Sequence, residues 1–398
     1  MNTQEHISLV DRYSAHNYKP LPVVLSRGDG AWVWDVEGKK YLDCLAAYSA
    51  VNQGHRHPKI VEAARAQLDR ITLTSRAFHN DRMGPFLQEL CDLLGYESAL
   101  PMNTGAEAVE TAFKAVRRWG YRVKGVEKDR AEIIVCEDNF HGRTTTIISF
   151  SAEGGSRDDF GPFAPGFRKI PYGDIDALRG AITENTVAFL VEPIQGEAGV
   201  NIPPEGFLRE AADVCRENRV LLVADEIQSG LGRTGKMLCA EWDGVRPDVV
   251  TVGKAISGGL YPVSAVLADR EIMDVFQPGD HGSTFGGNPL GAEIARASLK
   301  VLVEEKLPER ALELGNWFMD ELRTMDSPHV HEVRGRGLMI GIEIRKESGP
   351  ARPFCEALME RGILAKETHE QVIRIAPPLV IEREDLEWAL GELREVLA

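Results

Sequence analysis

The stretch VLLVADEIQSGLGRTGKMLCAEWDGVRPDVVTVGKAISGG, Val220–Gly259, decides the fold. It holds two short runs, VLLVADE (220–226) and DVVTVGK (248–254), that are rich in β-branched residues and continuously apolar. Such runs have the pattern of strands buried on both faces of a parallel sheet. Two more lie upstream, AEIIVCED (131–138) and TVAFLVEP (186–193). Between strands, 205–217 sets Phe207, Leu208, Ala211, Ala212 and Cys215 at helical spacing, and 105–119 places Ala108, Val109, Ala112, Phe113 and Val116 on one helical face. The alternation predicts an α/β domain, a mostly parallel sheet with helices on both faces.

Further out the pattern changes. Two long helical segments follow residue 290, then strand-like VHEVRGRGLMIGIEI, a helix, a strand and the final helix REDLEWALGELREVL. This predicts a smaller α+β domain over 291–398, beside a large domain over 49–290. Residues 1–48 carry two short strands, AWVWDV and KYLDCL, around the hairpin signal Glu37-Gly38. Too small to fold alone, they are expected to pack on the C-terminal domain.

A chain of 398 residues suits two or three such domains at about 100–200 residues each. Hydrophobic residues at 43% and charged residues at 27% are those of an ordinary globular protein. The net charge of −15 repels phosphate backbones and anionic lipid, so neither nucleic acid nor a membrane is expected as partner. No apolar run approaches a membrane span, and MNTQEHISLVDRYSAHNY has no stretch of signal-peptide type. Six scattered cysteines (Cys44, Cys91, Cys136, Cys215, Cys239, Cys355) form no CxxC pair, which suits a reducing, cytoplasmic setting.

In open α/β sheets ligands gather beyond the carboxyl ends of the strands. Here those ends carry Asp225 and Lys254. A buried lysine sheds its charge and becomes a nucleophile or Schiff-base former, and a buried aspartate needs a cationic partner. On these two residues alone a structural ion pair is the commoner arrangement. Asn103-Thr104-Gly105-Ala106-Glu107 opens a strong helix, where backbone N–H groups bind phosphate, although Thr104 is equally a plain N-cap. A second Gly/Ser/Thr-rich loop, HGSTFGGN (281–288), also precedes a helix and reads equally as a turn. Lysine, strand-end aspartate and phosphate cradle together make up the equipment for pyridoxal 5′-phosphate.

At this point the chain resembles a known family. LLVADEIQSGLGRTG followed by PDVVTVGKAISGG is similar to the lysine-site signature of the class III aminotransferases, in the aspartate-aminotransferase-like fold group. NYKPLPVVLSRGDG (17–30), AAYSAVNQGHRHPKI (46–60), LTSRAFHND (73–81), LPMNTGAEAVETA (100–112), VEPIQGEAG (191–199), SGGLYPVSAVL (257–267), HGSTFGGNPLG (281–291) and VIRIAPPLVI (372–381) extend the likeness along nearly the whole chain, toward the ornithine aminotransferase branch. The resemblance implies a seven-stranded sheet and a homodimer. It implies Lys254 as the covalent anchor and proton carrier, Asp225 on the pyridinium, Gln228 on the ring hydroxyl and Phe140 against the ring face. Thr104, Gly105 and Ala106 would hold the phosphate, with Ser283 and Thr284 from the neighbouring subunit.

For substrate, the resemblance implies transfer of the terminal amino group of L-ornithine to 2-oxoglutarate. Arg143 would grip ornithine's α-carboxylate, and Tyr18 would meet its α-amino group. Arg374 would take the α-carboxylate of glutamate, and Glu197 would pair with Arg374 in one half-reaction and release it in the other. Outside that context Glu197 and Arg374 read as an ordinary surface ion pair. His141 departs from the pattern, since some members carry a larger aromatic there. Acetylornithine or 4-aminobutyrate aminotransferase, and a non-catalytic cofactor-binding protein, are the rival readings; Tyr18 with Glu197 favours ornithine.

Two motifs are set aside. His55-Arg56-His57 has no second ligand cluster in the sequence, so a metal is not expected. Gly335-Arg336-Gly337 has its third glycine at Gly341, one residue late for a dinucleotide fingerprint.

Overall fold

Thr186–Val191 and Leu221–Asp225 are buried at every position, which is why neither alternates polar and apolar residues. In the computed structural model, which describes residues 1–151 and 154–398, they lie at the centre of a seven-stranded sheet. The order is Ser98–Met102, Ser264–Ala268, Val249–Val252, Leu221–Asp225, Thr186–Val191, Glu132–Cys136, Phe167–Ile170. Only Ser264–Ala268 runs against the rest, antiparallel to both neighbours.

Successive strand residues point to opposite faces, and each face meets a helix. Ile133, Val135, Leu190 and Val223 pack with the Gly105–Trp119 helix, which buries Ala108, Val109, Ala112, Phe113 and Val116 as its spacing predicts. Ile134, Cys136, Phe189, Val191 and Leu222 pack with the Phe207–Glu217 helix. Ala212 is only half-buried there, and Val214 takes the inward position beside Cys215.

Past the large sheet, the Pro289–Glu304 and Leu307–Arg323 helices lead to a four-stranded sheet of Val330–Arg336, Met339–Ile344, Val372–Ile375 and Lys366–Thr368. The single strand-like segment VHEVRGRGLMIGIEI is thus a hairpin, turning at Gly337-Leu338. The helix crosses this turn so closely that a Cβ on Gly315 would lie 2.0 Å from the Gly337 carbonyl oxygen. A second sheet joins Leu25–Asp29, Trp32–Asp35 and Lys40–Asp43 with Ile363–Leu364 from the far end of the chain. Its loop is longer than the two-residue signal Glu37-Gly38 suggests. The Asp35 carboxylate closes it by accepting from the backbone of Glu37 at 2.9 Å and Lys39 at 2.8 Å.

Immediately after this sheet, Ala46, Ala47, Tyr48 and Ser49 all have positive φ, from 45° to 71°. Four successive L-residues in that region form a left-handed turn that no glycine announces. Asp43 secures its start by accepting from the backbone of Leu45 and Ala46 at 2.9 Å, and His55 holds the other Asp43 oxygen at 2.8 Å.

Candidate active site

Asp225 ends its strand at the carboxyl edge of the sheet. Oδ1 accepts from Ile227 N and Thr251 Oγ1, each at 3.1 Å, and Oδ2 lies 2.6 Å from His141 Nδ1. Burial lowers the basicity of His141, but the hydrogen bond to Asp225 and its charge outweigh burial and raise the imidazole pKa. His141 Nε2 is buried and has no partner among the described residues. Beside this pair, Glu192 accepts from Phe140 N at 3.0 Å, and burial pushes its carboxyl up to about 8. The sequence singled out His141 only as a departure; its place against Asp225 went unread.

Lys254 follows the Val249–Val252 strand with φ at 44°, a left-handed backbone at the head of a short 3₁₀ turn. Strain of this kind clusters at functional positions. Lys254 forms no ion pair among the described residues, so the simple Lys254–Asp225 bridge is not what the strand ends make; Asp225 is matched by His141 instead. Burial lowers the Lys254 pKa, with Glu197 opposing and Arg374 reinforcing the shift. The amine is therefore biased toward its neutral, nucleophilic form.

A cavity of about 200 Å³ joins these groups, lined by Gly105, Ala106, Phe140, Asp225, Gln228 and Lys254 among others. A second, of about 360 Å³, shares Gly105 and Lys254 and reaches Thr104 and Ala47. Thr104 caps the Gly105–Trp119 helix through the Glu107 backbone at 3.2 Å, while the Glu107 carboxylate accepts from Thr104 N at 2.7 Å. First-turn N–H groups have no intrahelical acceptor, so those of Gly105 and Ala106 remain for a ligand. Gly105 lies close under Ile227, where a Cβ would come within 3.0 Å of the side chain. Ile227 lines the cavity too, and the sequence reading passed over it.

The group these residues fit is pyridoxal phosphate. A cavity with a lysine whose charge burial disfavours, a strand-end carboxylate, an aromatic wall and helix N–H groups at one end matches an amine-reactive aromatic ring with a basic ring nitrogen and a phosphate.

At the edge of the site Arg374 donates to Glu197 Oε1 at 2.6 Å, and Gln228 Nε2 donates to the same oxygen at 3.2 Å. The Arg374 side chain is 2% exposed, so this is no surface pair. Burial works against ionised Glu197, yet Arg374 and Lys254 hold its pKa below the ordinary carboxylate value. The Tyr48 ring, on the left-handed turn, lies 4.8 Å from the Arg374 guanidinium. Thr368 Oγ1 donates to Glu197 O at 2.5 Å and Arg334 Nη2 to Gly199 O at 2.7 Å, tying this loop to the smaller sheet. Gln228 fills the space over Gly196, where a Cβ would lie 1.7 Å from Gln228 Oε1.

The remaining residues lie further out. Arg143 is exposed, with its guanidinium 5.3 Å from the Phe140 ring centre. Tyr18 is 75% exposed, close enough to Tyr48 to raise its pKa slightly, behind the larger effect of burial. Ser283 Oγ accepts from Asn103 Nδ2 at 2.9 Å, and Thr284 is exposed. His55 and His57 diverge, to Asp43 and Glu305, and no group of three metal-binding side chains occurs among the described residues. Gly335 and Gly337 belong to the hairpin, not to a nucleotide loop.

The fold and this site define a pyridoxal-phosphate-dependent aminotransferase. The chain belongs to the class-III aminotransferase family, whose model matches residues 13–397. It is 61% identical to the ornithine aminotransferase of Geobacillus sp. (strain WCH70), covering 100% of this chain and 99% of the relative. The structure of ornithine aminotransferase from Toxoplasma gondii superimposes with a TM-score of 0.98 at 45% identity, over 100% of this chain and 94% of that one. That of acetylornithine aminotransferase from Elizabethkingia anophelis gives 0.92 at 52% identity, over 100% and 99%.

Proposed function

We propose that this chain is an ornithine δ-aminotransferase, converting L-ornithine and 2-oxoglutarate to glutamate 5-semialdehyde and L-glutamate. The observation that carries the reading is the closed Glu197–Arg374 pair, whose guanidinium is buried. One pocket must accept δ-transfer from ornithine and α-transfer to 2-oxoglutarate. With Glu197 on Arg374, the guanidinium does not draw in ornithine's α-carboxylate, and the δ-amine reaches Lys254. When Glu197 swings away, Arg374 takes the α-carboxylate of 2-oxoglutarate or glutamate bidentately.

Arg143 grips ornithine's α-carboxylate at the outer end, and Tyr18 meets its α-ammonium. Gly105 and Ala106, with Thr104, would hold the cofactor phosphate, joined by Ser283 and Thr284 of the neighbouring subunit; Phe140 the ring face; Asp225 the ring nitrogen; Gln228 the ring hydroxyl; Lys254 the covalent link. Pyridoxal phosphate, when bound, supplies the electrophile and the electron sink. Lys254 Nζ, once free, takes the proton from the reacting carbon of the amine substrate and returns it in the reverse direction. His141 keeps Asp225 oriented, and neutral Glu192 adds no second negative charge beside it.

We propose further that the enzyme is a cytoplasmic homodimer. Large apolar side chains left exposed in the single chain, Ile71, Leu73, Phe78 and Phe285, support an interface that covers some of them, and six free cysteines support a reducing compartment. No helix among the described residues is long and apolar enough to cross a membrane. A second reading, N-acetylornithine as donor, is favoured by the likeness to the Elizabethkingia anophelis enzyme. Comparison of kcat/KM for the two donors with 2-oxoglutarate tests the substrate. Ornithine is expected to be preferred by at least about a hundredfold; preference for the acetylated donor would refute the reading.

A further inference from the structure

His281 heads the Gly/Ser/Thr-rich loop, and both its ring nitrogens meet the Gly105–Trp119 helix. Nε2 lies 2.8 Å from Thr111 Oγ1, and Nδ1 lies 2.8 Å from Lys114 Nζ. The Thr111 hydroxyl hydrogen is committed to Glu107 O at 2.7 Å, so Thr111 Oγ1 accepts from the ring and Nε2 carries the hydrogen. An ammonium only donates, so Nδ1 presents its lone pair to Lys114. The two contacts together specify one neutral tautomer and exclude the imidazolium.

The surroundings agree. Phe276 stacks on the ring with centroids 5.6 Å apart. Lys114 also donates to Asp280 O at 3.0 Å, and the Asp280 carboxylate is taken by Arg118 from the same helix. Partial burial and the Lys114 charge depress the His281 pKa, and Glu107 opposes them weakly. Two residues on, Ser283 Oγ accepts from Asn103 Nδ2 at 2.9 Å and Gly286 N at 3.0 Å. Asn103 directly precedes Thr104-Gly105-Ala106. His281 therefore anchors the loop to the helix whose first turn forms the phosphate cradle.

We propose that His281 is a positioning residue for the phosphate end of the site across the dimer: neutral and protonated at Nε2, it holds on the cradle helix the 281–286 loop, from which Ser283 and Thr284 reach the neighbouring subunit's phosphate, and its protonation releases the loop and weakens cofactor retention. The inference rests on reading Gly105 and Ala106 as the phosphate cradle. Its sign follows from the geometry. Because the folded protein favours the neutral ring, the anchoring is present above the ordinary imidazole range and is lost as the pH falls through the lowered pKa.

The test is the dissociation constant of pyridoxal phosphate for the apoprotein, read from the absorbance of the bound cofactor at pH 8 and pH 5.5. Wild type, His281→Leu and His281→Gln are compared, with circular dichroism to establish that each is folded. Glutamine can still donate to Thr111 but does not ionise. At pH 8 the leucine variant is expected to bind about tenfold more weakly than wild type. Between pH 8 and 5.5 wild type is expected to lose about tenfold more affinity than the glutamine variant; ionisation of the cofactor's phosphate is common to both and cancels in the ratio. Equal binding by folded His281→Leu and wild type at pH 8, or a parallel fall in wild type and His281→Gln, overturns the inference and leaves the cradle reading standing. A wild type that takes up no pyridoxal phosphate overturns the cradle reading and this inference with it.

Discussion

Glu197 and Arg374 carry the substrate claim at the scale of single residues. Removing one partner from a desolvated pair costs roughly 3–5 kcal/mol, because the other charge stays buried and unmatched. Glu197→Ala leaves Arg374 without its carboxylate, beneath the Tyr48 ring. Glutamate should then react faster and the ornithine half-reaction more slowly, as read by single-turnover rates for each. Equal changes with both amino acids would mean that Glu197 merely supports the fold. Lys254→Ala should abolish turnover, since both covalent anchor and proton carrier are lost; borohydride reduction followed by peptide mapping should label Lys254 in the wild type and no other lysine. Glu197 and Arg374 followed only from the family resemblance and read without it as an ordinary surface pair; Lys254 was legible in the sequence because it follows a buried strand. The His141–Asp225 contact was not, because the two residues are 84 positions apart and nothing local marks them as neighbours. Tyr48 owes its place over Arg374 to a backbone twist that composition does not reveal.

At the scale of elements, the four central strands followed from their continuous apolar runs and the two amphipathic helices from their periodicity. The edge strands did not. Ser98–Met102 contains Pro101, and Phe167–Ile170 carries Arg168 and Lys169 in its middle. Both tolerate those residues because they lie at the two ends of the sheet, where one side needs no partner. Ser264–Ala268, the reversed strand, was matched only as part of a family segment. The left-handed turn at Ala46–Ser49 holds four successive L-residues at positive φ, at about 1–2 kcal/mol each. Ala47→Gly should therefore reverse the usual cost of a glycine and raise the melting temperature by about 1–2 °C. A lower melting temperature for that variant would show that the turn is not strained as described.

For the whole molecule, the site depends on segments from distant parts of the chain meeting at one edge. Arg233, fully buried, fastens them by donating to Asn52 Oδ1 at 2.5 Å, Pro377 O at 2.6 Å and Leu338 O at 2.8 Å, and burial lowers its pKa to about 9. Buried ionisable groups of this kind make stability depend on pH. Glu192 has an ordinary value of 4.5 and is raised to about 8 in the folded protein. Between those values the native state binds one proton more than the unfolded chain, so its contribution to stability falls as the pH rises through that window. Glu192→Gln removes the titration while keeping an acceptor for Phe140 N. Its melting temperature relative to wild type should climb by a few degrees from pH 5 to pH 8, and a constant difference would mean that Glu192 is ionised throughout.

The central claim is that the δ-amine, and not the α-amine, is the group transferred. Ornithine labelled with ¹⁵N at the δ position, incubated with the holoenzyme and 2-oxoglutarate, tests it directly through the mass of the glutamate formed. The account predicts that the glutamate carries the label and that the semialdehyde product retains an unlabelled α-nitrogen. Unlabelled glutamate, with the ¹⁵N left in the five-carbon product, would contradict it.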